Sequence, residues 1–166
     1  MKKSIATLFM MGAICLFIAG SVNADSIIIN PSDFVVGQPG TSSVIHTYMG
    51  TSLYVYDDST YRYHYAPVHL PHGAQVTSVI VLYDDDSTYN VTVGLYRANI
   101  YSRSQQTMCS WTSSADTSAH LTYKIQPITY GVINNTGYGY YVYVYFNGGA
   151  GSVLEIEGIR INYNAP

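Results

Sequence analysis

Apolar and polar side chains alternate along most of the chain, and after residue 24 no segment keeps an apolar stripe at helical spacing over several turns. Alternation indicates strands with one buried face, because successive side chains of a strand point to opposite sides. Residues 138–146 give the clearest example. Its two faces are a predicted core face of Tyr140, Val142, Val144 and Phe146, and a predicted outward row of Tyr141, Tyr143 and Tyr145.

A second strong segment, residues 75–83, is apolar at odd and at even positions. This composition predicts a central strand that is covered on both faces. An acidic run follows it, and residues 90–97 then alternate again, with Val91, Val93 and Leu95 on the inward side. The spacing predicts a hairpin with the acidic run at its tip.

The last strand, within residues 152–163, changes phase. Leu154 and Ile156 occupy even positions, whereas Ile159 and Ile161 occupy odd ones, and Gly158 lies where the phase changes. A single extra residue beside a glycine predicts a β-bulge. With weaker strands at residues 27–30, 53–56, 61–69, 107–111 and 120–125, the sequence predicts an all-β fold: a single antiparallel β-sandwich that is jelly-roll-like.

The first 24 residues have the features of a signal peptide. Lys2 and Lys3 precede an uncharged apolar stretch over residues 5–19, and Val22-Asn23-Ala24 resembles a cleavage site. The apolar stretch is shorter than the ~20 residues that a membrane span requires. We therefore predict a signal peptide at residues 1–24, a β-sandwich domain at residues 25–166, and a secreted protein, extracellular or periplasmic, with no transmembrane segment after cleavage.

Charge and cysteine content bear on two further questions: whether the protein binds nucleic acid and whether it can form a disulfide. The chain has 7 Lys and Arg against 10 Asp and Glu, and two of the lysines lie in the predicted leader. The remaining cations are scattered singly, so the sequence lacks the basic stripe of nucleic-acid-binding proteins. Once Cys15 is removed with the leader, Cys109 has no intrachain partner. We expect it to be a small buried apolar residue, the alternative being an intermolecular disulfide.

Several short motifs between residues 67 and 163 are the basis of a resemblance to other proteins. They are Leu70-Pro71-His72-Gly73-Ala74, Val76-Thr77-Ser78, the acidic run after Tyr83, Leu95-Tyr96-Arg97, the aromatic strand at residues 138–145, and Gly158-Ile159-Arg160-Ile161-Asn162-Tyr163. In these features the chain resembles a group of uncharacterised secreted bacterial single-domain β proteins with no known activity. The resemblance implies export and one β domain, and it supplies no site.

Aspartates are the first candidate ligands. Two acidic runs share the letters D-D-S-T-Y, and they supply clustered carboxylates at Asp84, Asp85 and Asp86 and at Asp57 and Asp58. Calcium takes six to eight oxygen ligands, often from loops of extracellular modules, so these residues form a candidate calcium site. The alternative is a solvated turn, since Asp and Ser are ordinary turn residues. No cofactor is expected to be required.

Tyrosines are the second candidate, because the chain contains 18 of them. Alternation predicts that each of two strands presents a row of rings: Tyr61, Tyr63 and Tyr65 on one, and Tyr141, Tyr143 and Tyr145 on the other. Tyrosine combines a large apolar area with a polar tip, which suits binding to carbohydrate, to a cell-surface component or to a second copy. The alternative is that cross-strand tyrosines only stabilise the sheet.

Catalytic motifs are absent from the sequence: we find no nucleophile elbow, phosphate loop or paired Cys-x-x-Cys. We therefore favour a secreted, non-enzymatic binding or surface-interaction module with a tyrosine-rich face. Two alternatives stay open at this point. One is a structural protein that assembles through that face, and the other is a small secreted hydrolase whose catalytic residues come together only in the fold.

Overall fold

Two antiparallel sheets contain the strands that the alternation predicts. The computed structural model describes residues 24–37, 52–54, 63–114, 118–147 and 154–166. A short 3₁₀ helix lies at Pro31–Asp33. The strands are β1 (Ala24–Ile29), β2 (Val35–Val36), β3 (Leu53–Tyr54), β4 (Tyr63–Val68), β5 (Gln75–Asp85), β6 (Val91–Asn99), β7 (Gln105–Thr112), β8 (Ser118–Ile125), β9 (Tyr138–Phe146) and β10 (Leu154–Asn164).

The strand order is that of a jelly roll. Sheet I has the order β1-β10-β5-β8, and β3 also pairs with β10, while sheet II has the order β2-β4-β9-β6-β7. From β3 onward the chain therefore forms the two four-stranded layers β3-β10-β5-β8 and β4-β9-β6-β7, whose inner faces enclose the core. The predicted β-sandwich of jelly-roll type is confirmed.

The predicted hairpin around the acidic run is wrong. β5 pairs with β10 and β8 in sheet I, whereas β6 pairs with β7 and β9 in sheet II. The connection between them crosses from one sheet to the other. Alternation shows that both strands have a core face, but it contains no information about which strands pair.

The prediction that β5 is covered on both faces is also wrong. β5 is central, but Ile80 and Leu82 lie on the outer face of sheet I, where Leu82 is 37% exposed. Val76, Val79 and Val81 lie on the core side, because the register opposite β10 shifts between Ser78 and Val76. The apolar residues of this strand therefore lie on two surfaces, the core face and the outer face of sheet I.

The bulge predicted at Gly158 is present. The register of β10 on β5 shifts between Ile156 and Gly158, and Ile156 and Ile159 are both fully buried on either side of the shift. The extra residue, Glu157, lies on the outer surface. The phase change in the sequence thus reports a real irregularity of the strand.

Cys109 is buried, as predicted, and is a free cysteine. Burial raises the pKa of its thiol to about 11, against a smaller lowering by a backbone hydrogen bond with Leu95. The thiol is therefore protonated at neutral pH. In the part of the chain that the structure describes, no helix has the length and apolar character needed to cross a membrane.

Candidate functional site

Six tyrosines from three neighbouring strands come together on the outer face of sheet II. β9 lies between β4 and β6, so its outward row faces rings on both sides. In register, Tyr145 is opposite Tyr63, Tyr143 is opposite Tyr65, and Tyr141 is opposite Tyr96. We call this group the tyrosine cluster: Tyr63, Tyr65, Tyr96, Tyr141, Tyr143 and Tyr145.

Tyr143 lies at the centre of the cluster. Its ring centroid is 5.9 Å from that of Tyr63, 5.5 Å from that of Tyr65 and 5.6 Å from that of Tyr96. These separations fall within the ~4.5–7 Å range of favourable aromatic pairs. Tyr143 is consequently half-buried by its neighbours rather than freely exposed.

Two stacked pairs extend the cluster toward its ends. Tyr63 stacks on Tyr145 at 4.8 Å with an interplanar angle of 24°, and Tyr96 stacks on Tyr141 at 5.6 Å with an angle of 13°. The Tyr65 ring also contacts the Tyr141 ring, with 5.7 Å between centroids. Because each ring is held by others, the surface is preorganised, and a ligand would not have to order six separate side chains.

Glycines make room for two of the rings. A Cβ atom on Gly94 would lie 2.6 Å from the Tyr96 ring and 3.1 Å from the backbone oxygen of Cys109, and a Cβ atom on Gly37 would overlap the Tyr65 ring. Both rings therefore lie across glycines. The absence of a side chain at these positions lets the outer rings lie close to the sheet.

We expect Gly94→Ala to displace the Tyr96 ring and to lower the free energy of unfolding by about 1–3 kcal/mol, the usual cost of overpacking. Urea denaturation measures the loss. The matched control is Gly139→Ala in β9, where a new Cβ atom meets nothing within 4 Å. Equal stability of the two variants would contradict the packing of Tyr96 over Gly94.

The cluster encloses a cleft of about 220 Å³, lined by Tyr65, Tyr96, Tyr141, Tyr143 and Gln105. Burial, followed by repulsion from the neighbouring phenols, raises the pKa of Tyr143 far above its ordinary value, and the same causes raise the pKa of Tyr141. These two hydroxyls therefore stay protonated at neutral pH and can both donate and accept hydrogen bonds. The cleft offers ring carbon, hydroxyl and amide groups without a formal charge.

The structure brings together five of the six tyrosines proposed from sequence, and Tyr61 lies outside the described residues. Tyr96 was missed. It follows Thr92 and Gly94 on the outward side of β6, so alternation alone could have placed its ring outward. Its position next to Tyr141 depends on β6 pairing with β9, which the sequence does not indicate.

The acidic candidates point in different directions. Asp84 lies half-buried opposite Glu155, Asp85 is buried, and Asp86 is exposed. Among the residues that the structure describes, no three His, Cys, Asp or Glu side chains are grouped so as to hold a metal ion. Asp57 and Asp58 lie outside those residues, and a calcium site that uses them stays a prediction.

Comparison with known proteins gives a fold and no family. No protein-family model matches the chain, and no curated protein matches it. A solved xylan-binding module, CBM15, superposes with a TM-score of 0.52 at 10% identity, covering 86% of this chain and 98% of the module. The likeness is one of fold.

A second solved structure is more distant. It contains the N-terminal modules of endo-1,4-beta-D-xylanase 10B of Clostridium thermocellum complexed with xylohexaose, at a TM-score of 0.48 and 9% identity, and the match covers 87% of this chain and 28% of that one.

Proposed function

We propose that this protein is a non-enzymatic carbohydrate-binding module and that the tyrosine cluster is its binding surface. The observation that carries the proposal is the cleft between Tyr65 and Tyr96, with Tyr141 and Tyr143 as its other aromatic lining. The fold likeness to a solved xylan-binding module supports it.

The chemistry of the cluster suits a neutral glycan. A sugar ring has apolar C–H faces, which pack on aromatic rings, and a rim of hydroxyls, which pair with phenol and amide groups. The chain has a net charge of −3, so polyanions are disfavoured. The outward row from Tyr141 to Tyr145 spans four residue steps, or about 14 Å at strand spacing, which favours a polysaccharide segment over a single sugar.

Binding isotherms with xylan and with other neutral polysaccharides test the proposal. We expect Tyr96→Ala to weaken binding at least tenfold, because a ring at the edge of the cleft is lost along with its support of Tyr141. Loss of one such anchor costs about 1.4 kcal/mol or more, which corresponds to a factor of about ten. The matched control is Tyr101→Ala, which removes a ring that is 79% exposed and belongs to no part of the cluster.

Tyr96→Phe separates ring packing from hydrogen bonding, since it keeps the ring and removes the hydroxyl. Thermal melting of each variant must show a folded protein before its affinity is compared. The proposal is overturned if no neutral polysaccharide binds, or if Tyr101→Ala weakens binding as much as Tyr96→Ala. A change of mass in solution with Tyr96→Ala, without any glycan affinity, would favour the assembly alternative instead.

A further inference from the structure

The outer face of sheet I, on the opposite side of the domain from the tyrosine cluster, exposes an apolar strip. Ile80 and Leu82 lie in β5, and Ile28 in β1, which is 62% exposed, lies on the other side of β10, with Arg160 between it and Ile80. These three residues line a groove of about 240 Å³. Isolated exposed apolar residues are ordinary, but a groove with apolar walls and charged ends is typical of an interaction surface.

Side chains of opposite charge lie at the two ends of the groove. At one end lie Glu157, Glu155 and Asp84; Glu155 is paired in register with Asp84, and Glu157 is hydrogen-bonded to His120 of β8. The positive charges lie level with Ile80 of β5: Arg160 in β10, which is also opposite Ile28, and Lys124 in β8. Along β10 the outward positions therefore change from acidic at Glu155 and Glu157, through Gly158 on the floor of the groove, to basic at Arg160.

Such an order is self-complementary. When two identical faces meet in antiparallel orientation, a twofold axis that runs across the strands brings the acidic end of each onto the basic end of the other. Glu157 then faces Arg160 of the second copy on β10, and Leu82 faces Ile80 of the second copy on β5. A parallel orientation would instead place the acidic ends against each other.

We propose that this face of sheet I docks on the same face of a second copy to form a twofold-symmetric dimer. A ligand or partner of one charge sign is disfavoured, because one end of the face would repel it. The expected strength follows from the area. Four strands about 4.8 Å apart and four rows about 6.8 Å apart give roughly 500 Å² per copy, less than the ~800 Å² of a standard stable interface.

The dimer should therefore be weak, should depend on concentration, and should weaken as salt screens the charge pairs. Sedimentation velocity of the protein over a range of concentrations, at low and at high salt, measures it. We expect Arg160→Glu and Glu157→Arg each to weaken dimerisation at least tenfold, because each places like charges opposite each other.

The decisive sample is an equimolar mixture of those two variants. In the mixed dimer Glu157 of one copy faces Arg160 of the other, and the two new side chains face each other with opposite charges. Dimerisation should return to that of the unchanged protein. Arg103→Glu is the matched control, since it makes the same charge change at an exposed residue between β6 and β7.

Circular dichroism must show that each variant is folded. A monomeric mass at the highest soluble concentration overturns the proposal, and so does a mixture that fails to restore the dimer. If Tyr143→Ser abolishes the dimer and Arg160→Glu does not, the interface is the tyrosine cluster, and the proposal is overturned as well. Since the two faces are separate, the dimer variants should keep any glycan affinity, so this proposal and the proposed function can fail independently.

Discussion

Val142→Asp is expected to abolish the folded state. Val142 is 0% exposed in the middle of β9, where its register neighbours are Ala66 in β4 and Leu95 in β6, both also fully buried. An aspartate at this position would place a carboxyl group among aliphatic side chains. The cost of burying an unpaired ionised or neutralised carboxyl is several kcal/mol, a large part of the ~5–15 kcal/mol that stabilises a domain of this size.

Circular dichroism during heating measures the effect, and we expect no cooperative transition for this variant. The matched control is Val35→Asp, which makes the same substitution in the same sheet at a residue that is 63% exposed. This control should melt close to the unchanged protein. A cooperative transition for Val142→Asp within a few degrees of the control would contradict the core position of β9.

The alternation in the sequence predicted β9 with its correct ends and faces. Its core residues and its outward tyrosines separate as expected because each position depends only on its own strand. The same reasoning located the bulge at Gly158, where the phase of the apolar residues changes within a few positions. Strand ends, strand faces and the bulge were therefore predictable, because each depends only on the local periodicity of the sequence.

Strand pairing was not predictable, because it depends on residues that are far apart in the chain. β5 and β6 are consecutive in sequence but belong to different sheets, and β6 pairs with the distant β9. This pairing places Tyr96 on Tyr141 and makes Gly94 the residue across which the Tyr96 ring lies. Periodicity gives the face of a side chain, whereas topology decides its neighbours.

The end of β5, at the acidic run, was also not predictable, because it too depends on strand pairing. Three consecutive aspartates are typical of a turn, yet β5 continues through Asp85, which is paired with Leu154 of β10 and with Ser118 of β8. Ladder pairing on both sides extends the strand beyond the point where composition predicts its end. Asp85 consequently points into the protein while Asp84 points outward.

Stability should fall as the pH rises above about 10, the ordinary pKa of a tyrosine phenol. The tyrosine cluster causes this, since burial and then the neighbouring phenols raise the pKa of Tyr143 and of Tyr141 in the folded protein. Between the unfolded and the folded pKa, the folded state retains protons that the unfolded chain releases. The stabilisation is therefore complete below the unfolded pKa and is lost as the pH rises through the folded pKa.

Tyr143→Phe tests this assignment, because it keeps the central ring and removes the group that titrates. Urea unfolding from about pH 8 to about pH 12 should show a shallower decline of the free energy of unfolding for this variant than for the unchanged protein. Tyr101→Phe, at a ring outside the cluster, should leave the decline unchanged. Tyrosinate absorbance measured in parallel should show one fewer late-titrating phenol in Tyr143→Phe. If the two variants decline with the same slope, the cluster does not hold the proton of Tyr143, and the alkaline loss of stability has another origin.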